Sequence, residues 1–349
     1  MRIAIVGGGI MGCSAALELA SRGADVVLLE RAALGAEASS AAAGILGAQV
    51  ESHDAEELGR YCHARAGYVA FAEELRERTG IDVGHRVVGI VKALPEGDVA
   101  WREARSLVAG QRALGLNAEL LLDREVRQAE PELAPGVSQA LFFQDEAEVD
   151  PPRLLSALVA SCSRAGVSLR SGTVVHRLGV EGGRCKGVLL EEGPLEADAV
   201  VLAAGSWSSL VPGIPSSIPR VQPARGQIVL LDERPPRVRR IVFHPTGYVV
   251  PRGDGRVLCG STLEMVGYRK EVTAGGVSAI LSGALGAVPC LEGAVVAGSW
   301  SNFRPMASRG RPLVGACEMP GLFLATGHHR NGILLAKQTA EEVARAILG

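Results

Sequence analysis

The chain has 349 residues, a length that favours two closely associated domains over a single one. With 47% hydrophobic and 21% charged residues, its composition is typical of a soluble globular protein. The formal net charge of −2 provides no basic excess to displace counterions, so a nucleic acid is excluded as the main partner.

The seven cysteines are odd in number and irregularly spaced, which indicates a reducing cytoplasm rather than a disulfide framework. The start of the chain resembles a secretory signal, but three consecutive glycines and Glu18 interrupt its apolar run. No uncharged apolar stretch has the length of a membrane span. We therefore expect a cytoplasmic protein without integral membrane association.

The chain begins with a predicted strand–helix–strand unit. Residues 2–6 and 24–30 are continuous apolar runs, as in strands that are buried on both faces of a parallel sheet. Between them, residues 10–21 have the apolar spacing of a helix. Residues 32–50 are rich in small side chains and predict a loop, with room for a short helix.

The next elements alternate between helix and strand. Proline at the first turn marks one of the helices, at Pro151–Pro152. The pattern predicts a long helix over about 55–79, a strand over 86–94, a helix over about 97–115, a helix from 151, a hairpin within 174–192 and a buried strand over 197–205.

The pattern changes after residue 220. Residues 221–305 contain repeated strands separated by turns, which predicts an antiparallel sheet. Residues 321–348 return to strand, loop and helix, and we expect the closing helix to begin at Gly332 or Ile333. Several polar residues precede its N-terminus, in the sequence GHHRNG at 327–332.

Gly7, Gly9 and Gly12 form a G-x-G-x-x-G turn between the first strand and the first helix. Such glycines allow a tight turn, a close approach to a pyrophosphate and close helix packing, and the helix N-terminus attracts the phosphates. Glu30 ends the second strand 18 residues after Gly12, where a carboxylate accepts hydrogen bonds from ribose hydroxyls. Together these features predict a dinucleotide site.

The following residues favour FAD over NAD. An NAD dehydrogenase would continue with regular βα repeats, whereas here Ser39 and Ser40 can donate to phosphates and residues 41–44 leave room for a flat ligand. A later strand ends in the small-residue sequence LAAGSW at 202–207. No histidines have the spacing of metal ligands, and no G-x-S-x-G hydrolase motif occurs.

Several motifs in this order resemble the D-amino-acid-oxidase family of flavoenzymes, and within it the glycine oxidase branch. They are the N-terminal glycine motif, SSAAAG at 39–44, VVLAAGSWS at 200–208, GYVVPR at 247–252, FRPMASRGRPLVG at 303–315 and GHHRNGILLA at 327–336. Residues 72–94 also resemble that branch. The similarity runs nearly from end to end.

The resemblance implies an α/β fold with two domains. A Rossmann-like FAD-binding domain would be assembled from the discontinuous segments 1–85, 141–220 and 306–349. A substrate domain, built on an antiparallel sheet over the flavin, would comprise 86–140 and 221–305. Relatives are often homo-oligomers, so we expect this state by analogy.

The resemblance also implies the reaction. FAD would take a hydride from Cα of glycine, sarcosine or a small D-amino acid at flavin N5, and O₂ would reoxidise the flavin to give hydrogen peroxide and an imino acid. In this branch such a product can serve thiamine biosynthesis. Two alternatives remain at this point: a dehydrogenase of the same fold that passes electrons to a quinone or another carrier, and a non-catalytic flavin-binding protein.

Three residues match the family's substrate-binding positions. By periodicity alone, Arg304 would be a solvated charge and Tyr248 an ordinary strand residue. The resemblance implies that Arg304 binds the substrate carboxylate, that Tyr248 donates its hydroxyl to the same carboxylate and that Arg330 lies near the amine. A planar guanidinium suits a carboxylate because it can form two parallel hydrogen bonds.

The resemblance assigns the remaining cofactor positions to the same loops. In addition to the glycines, Glu30 and the two serines, they are Ile10, Met11, Arg31, Ala43, Gly44, Ile45, Leu46, Val174, Val175, Ala204, Gly205, Trp207, Gly327, His328, Asn331, Gly332, Ile333 and Leu334.

The chain departs from the family pattern near the expected substrate pocket. Asn302 and Phe303 replace the small residue that often precedes the arginine, and His329 replaces a frequent Phe or Tyr. Lys337 stands where the family often has proline. These differences put strict glycine specificity in doubt.

Overall fold

The computed structural model describes residues 1–95 and 97–349. In the described residues the helices are α1 Ile10–Ser21, α2 Ala48–Glu51, α3 Ala55–Ala66, α4 Tyr68–Thr79, α5 Asp98–Ala113, α6 Arg124–Ala129, α7 Pro151–Arg164, α8 Ala274–Ala287 and α9 Gly332–Leu348. Short 3₁₀ turns occur at Gly205–Leu210, Pro289–Gly293 and His329–Asn331.

The strands are grouped below in chain order. The first half contains β1 Arg2–Val6, β2 Asp25–Leu29, β3 Ile45–Leu46, β4 Arg86–Val87, β5 Ile90–Ala93, β6 Glu119–Leu122, β7 Gln139–Phe143, β8 Ala147–Glu148 and β9 Ser168–Arg170. The second half contains β10 Arg177–Glu181, β11 Arg184–Leu190, β12 Gly193–Glu196, β13 Ala199–Leu202, β14 Val221–Asp232, β15 Ile241–His244, β16 Gly247–Pro251, β17 Arg256–Gly260, β18 Val295–Ala307, β19 Leu313–Ala316 and β20 Leu322–Thr326.

The first large sheet has six strands in the order β19-β20-β13-β1-β2-β9. All its pairs are parallel except β19 with β20. One face, with Ile3 and Ile5, packs against α1, α4, α7 and α9. The other face, with Ala4 and Val6, packs against the small sheet of β10, β11 and β12. Both faces are therefore covered, which explains why β1 and β2 are continuous apolar runs.

The second large sheet has eight strands in the order β18-β14-β17-β16-β15-β5-β7-β6. Its pairs are antiparallel apart from β15 with β5. Helix α8 packs on one face through Ile280 and Ala284, and α5 packs on the other through Ala104 and Val108. The α/β fold class, with a parallel and an antiparallel part, is thus confirmed.

Two predicted elements are broken by glycine. The helix expected over 55–79 is two helices, α3 and α4, which meet at Gly67, a residue with low helix propensity. The strand expected over 86–94 is divided between two sheets, because Gly89 turns the chain with a φ of +72°. Strand β6 and helix α6 were not predicted at all.

The closing helix is in its predicted place. Helix α9 begins at Gly332 and buries Ile333, Ala336, Ala340 and Val343. In the described part of the chain, no helix combines the length and apolarity needed to cross a bilayer.

Candidate active site

A cavity of about 660 Å³ lies between the two large sheets. On one side it is lined by Gly7, Glu30 and Ala203, the residues that directly follow β1, β2 and β13. Ligands of open α/β sheets bind at this carboxyl edge of the parallel strands. On the other side it is lined by Gly226, Tyr248, Asn302 and Arg304 of the antiparallel sheet.

The turn between β1 and α1 consists of glycines because side chains would collide there. Gly7 has a φ of +111°, and a Cβ on it would lie 2.4 Å from the carbonyl oxygen of Ala203. A Cβ on Gly12 would lie 1.8 Å from the carbonyl oxygen of Gly7, so Gly12 supports the turn from behind and does not line the cavity. Gly9 does line it. The turn leaves backbone exposed to a ligand, as pyrophosphate binding requires.

The two predicted serines point in different directions. Ser39 lines the cavity, and its Oγ accepts a hydrogen bond of 2.9 Å from the Ile10 N–H at the start of α1. The hydroxyl of Ser40 instead donates to the carbonyl oxygen of Gly35 at 2.5 Å. Ser40 lines a second cavity of about 410 Å³ and lies outside the first.

Glu30 is fixed at the end of β2 by backbone donors. Its Oε2 accepts from the Gly8 N–H at 2.8 Å and its Oε1 accepts from the Ala32 N–H at 3.0 Å. The carboxylate lines the cavity. Further lone pairs are available on it, so it can accept from the hydroxyls of a ribose and would repel a phosphate.

Next to Glu30, the side chains of Arg31 and Trp207 stack on each other in the cavity wall. The guanidinium carbon of Arg31 lies 4.1 Å from the ring centroid of Trp207, within the range of a cation–π contact. Both residues line the cavity. Four further predicted positions line it as well: Val174, Val175, Ala204 and Gly205.

A second wall comes from the small-residue loop before α2. Ala43, Gly44 and Ile45 line the cavity. Gly44 has a φ of +73°, and a Cβ there would lie 2.1 Å from the carbonyl oxygen of Val149. Leu46 is fully buried in the core behind this wall and lies outside the cavity. The alternation of the β3 strand explains why the neighbours Ile45 and Leu46 face opposite ways.

Helices α1 and α9 both begin at the cavity. Ile10 and Met11 line it at the start of α1, and Gly332 and Ile333 line it at the start of α9. Helix N-termini carry partial positive charge, so two of them favour an anionic or electron-rich ligand. Asn331 also lines the cavity and donates to the Tyr61 hydroxyl at 3.0 Å.

Three predicted residues near α9 have different surroundings. Gly327 lies outside the cavity, with a φ of +80°, and Leu334 is buried in the core. His328 lines the cavity but is only 3% exposed, and its Nε2 lies 2.9 Å from the Thr339 hydroxyl. Burial lowers the pKa of His328 to about 3, so this imidazole is neutral at ordinary pH.

Arg304 reaches the cavity from β18. Its Nη1 donates to the carbonyl oxygen of Thr262 at 3.1 Å, and its Nη2 donates to Oγ of Ser261 at 2.5 Å. The guanidinium lies over Gly226 of β14, where a Cβ would be 2.3 Å from Nη1. A guanidinium has five N–H donors, and these two hydrogen bonds use two of them. The remaining donors are available to a carboxylate in the cavity.

Tyr248 lies close to the same place. It pairs with Gly260 across β16 and β17, and a Cβ on Gly260 would lie 2.6 Å from the Tyr248 hydroxyl. The hydroxyl therefore lies over Gly260, next to the Ser261 that binds Arg304. A phenol donor and a guanidinium thus converge at residues 260–262, where both line the cavity.

Arg330 lines the cavity as well, but its guanidinium is engaged elsewhere. Its Nε forms an ion pair with the carboxylate of Glu51, and its Nη2 lies 2.9 Å from Nε2 of His53. The Arg330 side chain is 39% exposed and that of Glu51 only 16%. Sequence reasoning placed Arg330 near the substrate amine; the structure places its charge against Glu51.

Glu51 is a cavity residue that the sequence analysis missed. It ends the short helix α2, directly after the small-residue loop. Burial raises the pKa of its carboxyl, although Arg330, Lys92 and His53 act in the opposite direction. The sequence did contain a signal for it: Glu51 comes immediately after the loop of residues 32–50, which the sequence analysis had already assigned to the ligand.

Replacing Glu51 with glutamine is expected to lower the KM for carboxylate substrates about threefold. The change removes a negative charge from the cavity and frees Arg330 to contribute its positive potential. Steady-state kinetics measure the effect. Glu342→Gln is the matched control, because it breaks an ion pair with Arg60 that lies outside the cavity. An unchanged or higher KM for Glu51→Gln would contradict the expectation.

The residues present fit FAD. The turn of Gly7 and Gly9 brings bare backbone to the cavity, because a Cβ on Gly7 would collide with the Ala203 carbonyl, and exposed backbone suits the pyrophosphate. Glu30 offers acceptors for the ribose, and the loop of Ala43 to Ile45 provides a flat wall for a ring system. The start of α9 offers a positive partial charge to the electron-rich edge of that ring.

The comparisons with known proteins agree with this site. A family model described as FAD dependent oxidoreductase matches residues 2–346. The glycine oxidase of Geobacillus kaustophilus is 36% identical over 98% of this chain and 91% of its own length. Its crystal structure superposes with a TM-score of 0.92 and covers 99% of this chain and 94% of that one.

Two further relatives extend the comparison. The glycine oxidase of Pseudomonas putida is 32% identical over 97% of this chain and 92% of its own length. The iminodiacetate oxidase of Chelativorans sp. BNC1 is 27% identical, has a TM-score of 0.88 and matches all of this chain and 95% of that one. The predicted resemblance is confirmed: the chain belongs to the FAD-dependent oxidoreductase family of D-amino-acid-oxidase type and uses FAD as its cofactor.

Proposed function

We propose that the protein oxidises a small amino acid, such as glycine, sarcosine or a small D-amino acid, and passes the electrons to O₂. The observation that carries this proposal is the convergence of Arg304 and Tyr248 at residues 260–262, in the same cavity as the glycine turn. Its relatives include glycine oxidases of similar length.

The proposed substrate contacts follow from the two side chains. Arg304 binds the substrate carboxylate through charge-assisted hydrogen bonds, and Tyr248 donates its hydroxyl to the same carboxylate. A carboxylate held at two points fixes the direction of Cα, and such positioning supplies much of the rate acceleration in reactions of this kind. Arg330 lines the same cavity, and its charge is balanced there by the ion pair with Glu51.

The proposed cofactor contacts are the predicted residues that line the cavity. Bound FAD supplies the acceptor for the two electrons that leave the substrate. Glu30 accepts from the ribose, the turn at Gly7 and Gly9 and the Ser39 side chain hold the pyrophosphate, and the starts of α1 and α9 stabilise negative charge. Five of the predicted residues do not line the cavity and would support the lining from behind: Gly12, Ser40, Leu46, Gly327 and Leu334.

We also propose the domain division predicted from the sequence. All strands of the six-stranded sheet fall in 1–85, 141–220 and 306–349, and most strands of the eight-stranded sheet fall in 86–140 and 221–305. Strands β7 and β18 cross the boundaries by a few residues. Flavin retention by a chain with 86–140 replaced by a short linker would test the division.

The experiment that tests the function is an anaerobic panel of glycine, sarcosine, D-alanine and simple amines. Loss of the yellow flavin colour with at least one amino acid supports the proposal, and no bleaching by any of them overturns it. Admission of air then separates the oxidase from its rival. Stoichiometric hydrogen peroxide identifies the oxidase, whereas reduction of a dye or quinone without peroxide identifies the carrier-linked dehydrogenase.

Bound flavin that no amine reduces would identify the non-catalytic flavin protein. A cytoplasmic location and a homo-oligomer remain expectations that accompany the proposal. The seven cysteines are all free, which supports a reducing compartment. Light scattering on the purified protein measures the oligomeric state.

A further inference from the structure

A segment without regular secondary structure provides both hydrogen-bond partners of Arg304. It runs over residues 261–273, between β17 and α8, and its only ladder contact is an isolated bridge at Glu264. The Oγ of Ser261 and the carbonyl oxygen of Thr262 accept from the guanidinium. Both acceptors are neutral, so Arg304 keeps its charge for a ligand. The orientation of the guanidinium therefore depends on where this segment is held.

Glu264 fixes the segment to the neighbouring strand β14. Its backbone N–H and carbonyl oxygen pair with those of Arg225, both at 2.9 Å. Its Oε2 accepts from Nη2 of Arg225 at 2.5 Å, and its Oε1 accepts from Nε2 of Gln227 at 2.7 Å. Arg225 is 5% exposed and Gln227 is fully buried, so both partners of Glu264 are themselves fixed in the protein interior.

Thr262 connects Glu264 to Arg304. The Thr262 hydroxyl donates to Oε1 of Glu264 at 2.6 Å and accepts from the Gln227 N–H at 3.0 Å. The carbonyl oxygen of the same threonine accepts from Nη1 of Arg304 at 3.1 Å. Because its hydroxyl is held on two sides, Thr262 does not turn freely, and its carbonyl oxygen stays directed at the guanidinium.

The charge of Glu264 is balanced outside the cavity. Thr262 lines the cavity, whereas Glu264 and Arg225 do not. The hydrogen bond from Arg225 lowers the pKa of the Glu264 carboxyl to about 2, so this group is ionised at ordinary pH. Its ion pair with Arg225 leaves little free negative charge to repel a carboxylate that Arg304 would bind.

We propose that Glu264 is a positioning residue for the substrate carboxylate. Through Thr262 it holds the backbone that orients Arg304. Arg225 meanwhile keeps the negative charge of Glu264 from acting on the substrate. This role rests on the proposed function for the carboxylate contact of Arg304. Positioning matters at this place because a bidentate contact requires the guanidinium to lie in one orientation.

The test measures the affinity of the holoenzyme for acetate, a carboxylate without an amine to oxidise. Isothermal titration calorimetry gives its Kd whether or not the protein oxidises amino acids. Thr262→Val removes the hydroxyl but keeps the backbone carbonyl, the branched shape and the ion pair of Glu264 with Arg225. We expect the Kd to rise roughly fivefold, the effect of one net hydrogen bond. Thr262→Ser keeps the hydroxyl and should restore the affinity.

Glu264→Ala breaks the same connection from its other end. It should raise the Kd for acetate about tenfold, because the segment also loses its side-chain bonds to β14. The direction of the change is diagnostic. Removal of a negative charge by itself would lower the Kd for an anion, so a rise reports lost positioning, and a fall would overturn the proposal.

A double variant tests whether Glu264 acts through Thr262. Glu264→Ala combined with Thr262→Val should bind acetate no more weakly than Glu264→Ala alone, because both changes break one connection. Additive effects would mean that the two residues act separately and would overturn the proposal. In steady-state kinetics, kcat/KM for glycine should fall by the same factors in the single variants, while kcat/KM for a simple amine stays unchanged.

Thr273→Val is the matched control. Thr273 lies at the other end of the same segment and outside the cavity. Its hydroxyl accepts from Nε2 of Gln227 and from the Gly276 N–H at the start of α8, both at 3.1 Å. This variant should melt at a lower temperature but bind acetate as the unaltered protein does. An equal rise of the Kd in Thr273→Val would attribute the effect to general destabilisation and overturn the proposal.

The remaining outcomes separate this role from the proposed function. Glycine oxidation together with an unchanged acetate Kd in Thr262→Val and Glu264→Ala would overturn the role of Glu264 alone. A Glu264-dependent acetate affinity in a protein that oxidises no amino acid would support that role and overturn the proposed function. Absence of acetate binding to the unaltered holoenzyme would refute the carboxylate contact of Arg304, and the role of Glu264 with it. If Glu264→Ala does not fold, the valine and serine variants of Thr262 decide.

Discussion

Replacing Gly7 with alanine is expected to yield a protein that purifies almost free of FAD. The new Cβ would lie 2.4 Å from the carbonyl oxygen of Ala203 and 2.7 Å from its carbonyl carbon, both backbone atoms that no rotamer can move. The turn must therefore shift away from β13, and a shift of this kind disrupts the surface that approaches the pyrophosphate. We expect FAD affinity to fall by roughly a hundredfold or more, because the phosphate contacts that we propose come mainly from this turn.

The measurement is the ratio of flavin to protein after purification, together with a thermal melt of each variant. Gly23→Ala is the matched control. Gly23 also has a positive φ, +86°, but a Cβ there would meet no atom within 4 Å. It should lose about 1–2 kcal/mol of stability through backbone strain and keep its flavin. A flavin content near one per chain in Gly7→Ala would contradict the assigned role of the turn.

Replacing Arg304 with alanine is expected to lower kcat/KM for glycine by about two to three orders of magnitude. Loss of a charge-assisted contact to a carboxylate costs about 3–4 kcal/mol, which corresponds to this range. The flavin should stay bound, because the cofactor contacts that we propose lie on the other side of the cavity. A simple amine without a carboxylate is the reference substrate, and its kcat/KM should change little. Equal losses for both substrates would contradict carboxylate binding by Arg304.

Gly226→Ala tests the same contact without removing a charge. Its Cβ would lie 2.3, 2.5 and 2.6 Å from Nη1, Nη2 and Cζ of Arg304. These atoms end a flexible side chain, so the guanidinium moves while the strand pair stays intact. We expect KM for glycine to rise at least tenfold, since a displacement of this size breaks a bidentate contact. Gly298→Ala on the neighbouring β18 is the control, because a Cβ there meets nothing within 4 Å.

Some helices and strands could be predicted because the pattern that specifies them lies within a short stretch of sequence. The unit of β1, α1 and β2 and the start of α9 both follow from apolar periodicity and from glycines at defined spacings. The break at Gly67 was not predicted because apolar spacing continues on both sides of it. Strand β6 was missed because its apolar run is only three leucines long, too short to tell a strand from a piece of helix, and it lies at the sheet edge, where Leu122 is exposed.

The site was predictable as a set of loops but not as a set of contacts. Sequence neighbours such as Ser39 and Ser40 have the same chemistry, yet only Ser39 reaches the cavity. The ion pair of Arg330 with Glu51 joins residues 279 positions apart, and no local pattern encodes such a pair. His329 was recognised as a departure from the family, but the lack of a hydrogen-bond partner for its Nε2 among residues 1–95 and 97–349 is visible only in three dimensions.

The pairing of α1 with α9 has a consequence for the order of assembly. The two helices pack side by side, and Lys337 of α9 donates to Glu18 of α1 at 2.8 Å across a separation of 319 residues. A nascent chain that has released β1 and α1 from the ribosome therefore still lacks the second of the two helix N-termini that line the cavity. The cavity that we assign to FAD is therefore complete only after α9, the last helix of the chain, has docked on α1.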